Sequence, residues 1–397
     1  MKKDFMFTSE SVTEGHPDKL CDEIADAFVD QFLRQDPFSR VIAECAVSTS
    51  IVFIAARFDS SASVDFPYIA REVIGQVGYN QLAFNAKTCS IVTSLRELPP
   101  DRQSRFDERT ISDEDMDSIP VRNQVTVFGF ACSQTPAYMP LPIWLAHKLA
   151  RRLTSVRFQK QLPYLMPDGW TQVGIEYQDR IPRRVHSITI IACQREDREP
   201  NPGQLTEDIR ENVIRPAFAD EPIAPDGATE IYINPYGPFV QGGPSVHSGL
   251  TGRKNAIDTY GEYSRHSGAA LSGKDPLRID RTGAYAARYA AKNVVAAGLA
   301  RECEVLLSYS MGQARPVSVQ VETFGTGAIR DSEIVARITR YMDFRPASII
   351  KQFNLRRLPA LVKGGFYRKL AAYGHVGRMD IGLPWEVTDK AQALKAG

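Results

Sequence analysis

Glycines alternate with cations and carboxylates along one stretch of the sequence, residues 234–281. Its members are Gly237, Gly242, Gly243, Gly249, Gly252, Gly261, Gly268 and Gly273, with Arg253, Lys254, Lys274, Arg278, Asp275 and Asp280. Glycine lets a backbone approach an anion closely, lysine and arginine neutralise the anion, and carboxylates hold the magnesium that usually accompanies such a ligand. The stretch therefore predicts a site for a polyphosphate and a metal ion.

Ordinary turn chemistry would also explain a single glycine-rich loop. Here two segments, 249–254 (GLTGRK) and 272–276 (SGKDP), each place a cation directly after glycine. Neither segment has the P-loop spacing G-x-x-x-x-G-K-[ST]. The pattern therefore favours an anion site of another kind and speaks against a P-loop nucleoside triphosphatase.

A second group of reactive residues lies in segment 9–19 (SESVTEGHPDK). This segment runs directly into an amphipathic helix pattern, so Gly15 and His16 lie at a helix N-terminus, where free amides attract anions. His16 could donate a proton or a hydrogen bond to a leaving oxygen, and Asp18 could bind a hard cation. Each also has a structural alternative, since an isolated histidine is more often a hydrogen-bonding residue and aspartate is common where helices begin.

The elements that must position these residues follow an order that recurs three times. Apolar periodicity predicts a helix, two strands, a second helix and a further extended run in each copy. The copies comprise helix 18–34, strands 41–47 and 51–58, helix 66–77 and run 88–94; a helix carrying Leu145, Leu149 and Leu153, strands 172–177 and 186–193, helix 205–218 and run 230–234; and helix 284–300, strands 304–311 and 317–324, helix 332–342 and run 348–353.

Units that start near residues 18, 140 and 281 lie too far apart for a solenoid. They indicate an α+β protein of three related domains, each a sheet covered by helices, although chance recurrence of a common motif is an alternative. We divide the chain into segments 1–119, 120–238 and 239–397. Residues 96–119 break the pattern with Pro99, Pro100 and many charges, as either a functional lid or a disordered loop would.

Composition excludes several classes of protein. With 48 Lys and Arg against 47 Asp and Glu in 397 residues, the net charge of +1 predicts no broad basic surface for nucleic acid or anionic membranes. The six cysteines form no C-x-x-C pair and lie mostly in apolar segments, which is typical of free thiols in a reducing cytoplasm. No apolar run reaches the length of about 18 residues that a membrane span needs.

The motifs of this chain resemble those of bacterial and eukaryotic-type S-adenosylmethionine synthetases (methionine adenosyltransferases). The resemblance covers nearly the whole chain and rests on segments 7–19 (FTSESVTEGHPDK), 249–254 (GLTGRK), 258–261 (DTYG), 272–276 (SGKDP) and 285–289 (YAARY). It implies three similar α+β domains about a pseudo-threefold axis. It also implies a homodimer, or a dimer of dimers, with active sites between subunits.

The resemblance implies that a methionine sulfur attacks C5′ of ATP, that triphosphate leaves, and that the triphosphate is then cleaved to pyrophosphate and phosphate. His16 would lie by the leaving oxygen, Asp18 and Asp280 would bind Mg²⁺, and Glu44 would belong to a K⁺ site. The residues implied to clamp phosphates or to contact ATP and the acceptor are Arg253, Lys254, Lys274, Glu10, Lys19, Asp168, Phe239 and Asp275.

The sequence departs from the family on the acceptor side. His247 replaces an aspartate that contacts methionine, and Arg57 stands where the family has a glutamate that receives the methionine ammonium. Asn123 replaces another aspartate, Trp170 replaces a phosphate-facing lysine, and Arg278 replaces a second lysine. The glutamine motif of the family's lid is not recognisable between residues 95 and 119.

These departures leave the acceptor open. Arginine repels an ammonium in a low-dielectric cleft, so the chain is either a methionine adenosyltransferase with rearranged contacts or an adenosyltransferase for another, more anionic nucleophile. Two alternatives perform no adenosyl transfer: an ATP or triphosphate hydrolase, and a regulatory subunit of a true synthetase. A purely structural subunit would not need a full phosphate site, yet this chain retains His16, Asp18, Lys274 and Asp280.

Overall fold

The computed structural model describes residues 4–198 and 200–397. Its strands are β1 (Phe5–Val12), β2 (Arg40–Ser48), β3 (Ile51–Asp59), β4 (Ser90–Glu97), β5 (Val125–Cys132), β6 (Leu165–Gln178), β7 (Ile181–Gln194), β8 (Glu230–Ile233), β9 (Gly249–Leu250), β10 (Glu302–Tyr309) and β11 (Ser318–Glu322). The strand pairs predicted in all three copies are confirmed. The strands β1, β5 and β9 lie outside the predicted repeat.

The helices predicted in the three copies lie close to their predicted positions, and further short helices were not predicted. They are α1 (Pro17–Gln35), α2 (Phe66–Val77), α3 (Asp113–Met116), α4 (Leu141–Phe158), α5 (Pro202–Ile209), α6 (Arg215–Ala217), α7 (Asn255–Asp258), α8 (Ile279–Ala296), α9 (Asp331–Tyr341), α10 (Pro346–Phe353), α11 (Leu358–Leu361) and α12 (Ala391–Ala396). A π-helical segment, Arg210–Ile214, joins α5 to α6. In the described part of the chain, no helix is both long and apolar enough to cross a membrane.

Three sheets confirm the α+β class and the threefold organisation. The N-terminal sheet has the order β4-β3-β2-β9, the central sheet β1-β6-β7-β8 and the C-terminal sheet β11-β10-β5. Each sheet takes one strand from a distant part of the chain: β9 pairs with β2, β1 with β6, and β5 with β10. The segments 1–119, 120–238 and 239–397 stay a prediction as domain boundaries, and strands cross between them.

The N-terminal sheet is covered on one side and open on the other. Alternate side chains of β2 and β3, such as Val41, Ala43 and Ile54, are buried in the core that includes α1. The opposite side, which we call the open face, carries Phe53 at 43% exposure, with Val92 at 49% and Leu250 at 45%. Register places these three, with Ala46, in one row across the four strands.

One predicted strand is wrong, and a segment with two possible interpretations has defined contacts in the structure. Residues 348–353 were predicted to be extended. This prediction is wrong, because these residues form the end of helix α10. Pro346 occupies its first turn, where the missing N–H costs nothing, and Ile349, Ile350 and Phe353 are buried along one side of the helix. Part of segment 96–119 is docked on the rest of the chain, since Arg356 donates to the carbonyl oxygens of Ser104 and Phe106 at 2.8 and 2.7 Å. That the segment acts as a lid stays a prediction.

Candidate functional site

The N-terminus of α1 fixes both the position and the protonation of His16. The Asp18 amide donates to His16 Nδ1 at 3.2 Å, so the ring proton lies on Nε2. Burial, followed by the nearby Lys254, lowers the pKa of His16 to about 3. The imidazole is therefore neutral at pH 7 and presents an Nε2–H donor. Gly15 precedes it because a Cβ there would lie 2.3 Å from the Pro167 backbone.

Asp18 lies where the N-terminal helix meets the glycine and cation-rich stretch. Its carboxylate accepts from the Leu250 amide at 3.0 Å and lies 3.6 Å from both Arg253 and Lys254. Gly249 allows this close approach, because a Cβ there would lie 2.1 Å from the Pro17 carbonyl oxygen. The sequence prediction that these two motifs form one site is therefore consistent with the geometry.

An aromatic cluster lies beside His16. The Trp170 ring centroid is 5.2 Å from that of His16, 5.3 Å from His247 and 5.5 Å from Phe239. The centroids of His16 and His247 are 5.6 Å apart. Four residues that were singled out in three separate parts of the sequence thus come together in space, and they form an aromatic cluster next to the cations.

Asp168 lies at the edge of this cluster and is almost fully buried. One oxygen accepts from the Gly243 amide at 2.7 Å and lies 3.7 Å from His247 Nε2, whereas the other has no hydrogen-bond partner in the described structure. Burial raises the pKa of Asp168 to about 7. An unpartnered buried oxygen beside an adjoining cavity of about 820 Å³, also lined by Tyr79 and Met166, is suited to accept a hydroxyl hydrogen bond from a ligand.

A second group of predicted residues surrounds Asp280. The side-chain amide of Asn123 donates to Asp280 at 2.8 Å, and Lys274 Nζ lies 3.5 Å from the same oxygen. Burial lowers the pKa of Lys274. The loop that carries Lys274 pairs with β2, since the Ala43 amide donates to the Gly273 carbonyl oxygen at 2.7 Å. Glycine is required at position 273, because its φ is +77° and a Cβ there would lie 2.0 Å from the Ala43 carbonyl oxygen.

The two groups lie apart within one chain. Asp18 contacts Leu250, whose register partner on β2 is Ala46, whereas Lys274 pairs with Ile42 on the same strand. Four strand residues separate the two positions, which corresponds to about 13 Å. Across residues 4–198 and 200–397, no hydrogen bond, ion pair or ring contact joins His247 to Arg57.

Several predicted residues occupy other environments. Arg57 and Glu44 are exposed on the open face, and Glu10 lines a cavity of about 250 Å³ with Arg253 and Lys254. Arg278 precedes the first turn of α8. Lys19 is fully buried between Asp22 and Asp258, and Asp275 accepts from the Val41 and Leu277 amides at 2.8 Å. For these last two, the geometry favours a structural role over direct contact with a substrate.

The sequence prediction overlooked a ladder of carboxylates along α1. Asp18, Asp22, Asp26 and Asp30 recur every four residues, and they accept from the backbone amides of Leu250, Gly252, Gly273 and Phe366 respectively, at 2.8 to 3.0 Å. The i, i+4 spacing on one helix face was the available signal. The ladder holds the two glycine-rich loops against the helix that presents His16.

The side chains of the site could supply only some of the ligands of a metal ion. No group of three or more histidine, cysteine, aspartate or glutamate side chains is positioned to bind a metal within residues 4–198 and 200–397. Asp18 and Asp280 each offer a single carboxylate beside cations. Such a donor set fits a magnesium ion that takes its remaining ligands from phosphate oxygens and water, as Mg²⁺ does in nucleotide sites.

Comparison with protein families finds three matches, which together span most of the chain. The family models for the N-terminal, central and C-terminal domains of S-adenosylmethionine synthetase match residues 4–100, 118–239 and 241–387. All of the residues grouped around Asp18 and around Asp280 fall inside these matches.

Curated relatives are similar over their full length. A protein named S-adenosylmethionine synthase from Synechococcus sp. (strain JA-3-3Ab) is 48% identical over 406 residues, covering 98% of this chain and 97% of that protein. Proteins of the same name from Gloeothece citriformis (strain PCC 7424) and Synechococcus elongatus (strain ATCC 33912 / PCC 7942 / FACHB-805) are 47% and 48% identical. Each of these two matches covers 100% of this chain, with 97% and 98% of the respective relative.

Proposed function

The chain belongs to the S-adenosylmethionine synthetase family, and from that premise we propose that it is an adenosyltransferase that uses ATP. The observation that carries this function is the position of His16, a neutral imidazole whose proton lies on Nε2 and which lies close to Asp18 and to the cations Arg253 and Lys254. A hydrogen-bond donor and two cations at one helix N-terminus match the needs of a highly charged leaving group.

The reaction transfers the adenosyl group of ATP, through its C5′ atom, to a nucleophilic sulfur. The sulfur lone pair forms the new bond to C5′ while the bond between C5′ and its oxygen breaks, and the electron pair leaves with triphosphate. His16 Nε2–H donates to that oxygen, and Arg253, Lys254 and Lys274 bind the phosphates. The unpartnered oxygen of Asp168 accepts from the ribose, and Phe239 packs against the adenine. Hydrolysis of triphosphate to pyrophosphate and phosphate follows.

Metal ions complete this proposal. Asp18 and Asp280 would each contribute one carboxylate to Mg²⁺, which when bound neutralises charge on the phosphates. Glu44, exposed on β2, would belong to a K⁺ site. Titration of ATP turnover with each cation, in the wild type and in Asp280→Asn, tests these assignments.

We assign the active site to the interface of a homodimer, or of a dimer of dimers. The open face presents Phe53, Val92 and Leu250, and a contiguous apolar surface of this kind is typical of an interface. The groups around Asp18 and Asp280 lie against positions four residues apart on β2, at Ala46 and Ile42. A twofold axis through the open face would bring the Asp18 group of one subunit towards the Asp280 group of the other.

The acceptor is methionine or a more anionic nucleophile. The purified protein is incubated with ATP, Mg²⁺, K⁺ and methionine, and the products are followed by mass spectrometry. Abundant S-adenosylmethionine would rule out an alternative acceptor as the main substrate. Triphosphate or phosphate without any adenosylated product, for every acceptor tried, would favour a hydrolase. Activity that appears only on mixing with a true synthetase would favour a regulatory subunit.

A further inference from the structure

Two arginines lie side by side on the open face. Strands β3 and β4 are parallel, and their register pairs Arg57 with Arg96. Paired residues on neighbouring strands project from the same side of a sheet, at a strand separation of about 5 Å. Both residues are exposed. Two guanidinium groups thus share one corner of the open face.

Neither guanidinium has a counter-ion among the residues that the structure describes. Across residues 4–198 and 200–397, Arg57 and Arg96 make no ion pair and no side-chain hydrogen bond, although the chain contains 47 acidic residues. The carboxylate of Glu44 lies one row away on the same face, and within the described residues it forms no ion pair either. Adjacent like charges repel, so this pair is best satisfied by an external anion.

The pair is continuous with the group around Asp280. Ile42 is the register partner of Arg57 on β2, and Ile42 also bridges to Lys274. Arg96, Arg57, Ile42 and Lys274 therefore form one row across the sheet, and Lys274 contacts Asp280. Arg57 lies about 10 Å from the Lys274 backbone, two strand spacings away. An acceptor of amino-acid size would span that distance.

We propose that Arg57 and Arg96 together bind a carboxylate of the acceptor, which makes the acceptor a thioether carboxylate without an ammonium group at that end. Two guanidinium groups can donate to both oxygens of one carboxylate, whereas they repel an ammonium. This inference rests on the proposed adenosyl transfer, and it adds Arg96 as a specificity residue. The transfer itself balances as above: the thioether sulfur becomes a sulfonium and triphosphate leaves.

Binding of simple thioethers tests the inference. The full-length protein, with Mg²⁺ and a non-hydrolysable ATP analogue, is titrated by calorimetry with 4-(methylthio)butanoate, with 3,3′-thiodipropionate and with methionine. 4-(Methylthio)butanoate and 3,3′-thiodipropionate should bind at least about 10-fold more tightly than methionine, because they offer a carboxylate without the ammonium group that the guanidinium groups repel. Arg57→Gln and Arg96→Gln should each weaken carboxylate binding by about 10-fold or more. Arg215 is an exposed cation on α6, and Arg215→Gln is therefore the matched control, which should leave binding unchanged.

The outcomes separate this inference from the function on which it rests. If the ATP analogue binds but methionine binds as tightly as the carboxylates, the two-arginine subsite is wrong and the adenosyltransferase remains. If the ATP analogue fails to bind, the proposed function itself fails. If Arg57→Gln and Arg96→Gln weaken subunit association and leave carboxylate binding unchanged, a carboxylate of the partner subunit occupies the pair, and the inference is overturned.

Discussion

The side-chain amide of Asn123 donates a 2.8 Å hydrogen bond to Asp280, the carboxylate that also lies 3.5 Å from Lys274. The resemblance to the synthetase motifs implies an aspartate in the family at the position of Asn123. The Asn123 amide is uncharged and occupies one oxygen of Asp280, so an asparagine here supplies one negative charge fewer at the proposed metal position than an aspartate would.

Asn123→Asp should therefore strengthen the response to magnesium. Two adjacent carboxylates repel each other in the absence of a metal ion, and a divalent ion bound between them relieves that repulsion. We expect the Mg²⁺ concentration that half-saturates ATP turnover to fall several-fold. Asn123→Ala, which removes the hydrogen bond without adding charge, is the control. Identical Mg²⁺ titrations of the two variants would contradict a charge effect at this position.

Reversing charge on the acceptor side should move activity towards methionine. Arg57→Glu restores an acceptor for the ammonium group, and His247→Asp restores a carboxylate beside Trp170. We expect the double variant to raise kcat/KM for methionine by about 10-fold or more relative to the wild type, as one favourable ion pair in a cleft would. Arg215→Glu is a charge-matched control. No movement towards methionine would count against the charge argument.

Nucleotide affinity should depend on pH through Asp168. Burial raises the pKa of this carboxyl to about 7, so it gains a proton and loses charge as the pH falls through that value. A carboxylate accepts hydrogen bonds from ribose hydroxyls better than a carboxylic acid does. The Kd of an ATP analogue should therefore increase as the pH is lowered from about 8 to about 6. Asp168→Asn should bind more weakly at the upper end of this range and flatten the profile. An equally steep profile in Asp168→Asn would assign the titration to another group.

The carboxylate ladder should contribute strongly to stability at Asp26. Both Asp26 and Arg281 are fully buried, and their two hydrogen bonds measure 2.7 and 2.6 Å. Asp26→Ala leaves the guanidinium buried without its partner and should lower the free energy of unfolding by about 3–5 kcal/mol. Urea denaturation measures the change. Glu211→Ala, which breaks the exposed pair with Arg215, should have no measurable effect, and a similar loss in both variants would contradict the role of burial.

The open face should hold the subunits together. Phe53→Glu introduces a charge into the centre of its apolar row, and light scattering after size exclusion should show a shift from dimer to monomer. ATP turnover should fall with it, because the Asp18 and Asp280 groups would separate. Leu361→Glu changes another exposed apolar residue, outside the N-terminal sheet, and should leave the mass unchanged. A wild type that is monomeric would contradict the assignment of the site to an interface.

Local patterns in the sequence were sufficient to predict most elements and the Asp18 group. Helix α2 matches its predicted range, because Asp65 and Gly78 provide the capping signals at its two ends. Helix α10 was missed because an apolar run as short as residues 348–353 fits a strand as well as a buried helix, and only packing decides between them.

The pairing of distant segments could not be predicted from the sequence. Nothing local in residues 5–12 indicates that they pair with residues 170–177, and the contact of Trp170 with His16 depends on that pairing. The parallel register that places Arg96 beside Arg57 is equally non-local. The motifs of the proposed phosphate side lie in short segments of the sequence and could be read locally, whereas the residues proposed for the acceptor side are brought together only by strand pairing.

The exchange of strands among the three sheets also constrains how the protein is made. Strand β1 leaves the ribosome long before its partner β6. In the same way, β2 is synthesised long before β9, and β5 long before β10, which begins at residue 302. No sheet can reach its final strand complement early in translation, so the nascent chain carries unsatisfied edges for much of its synthesis. The polypeptide should therefore reach its native state late and as a single unit, and isolated thirds of the gene should yield insoluble products.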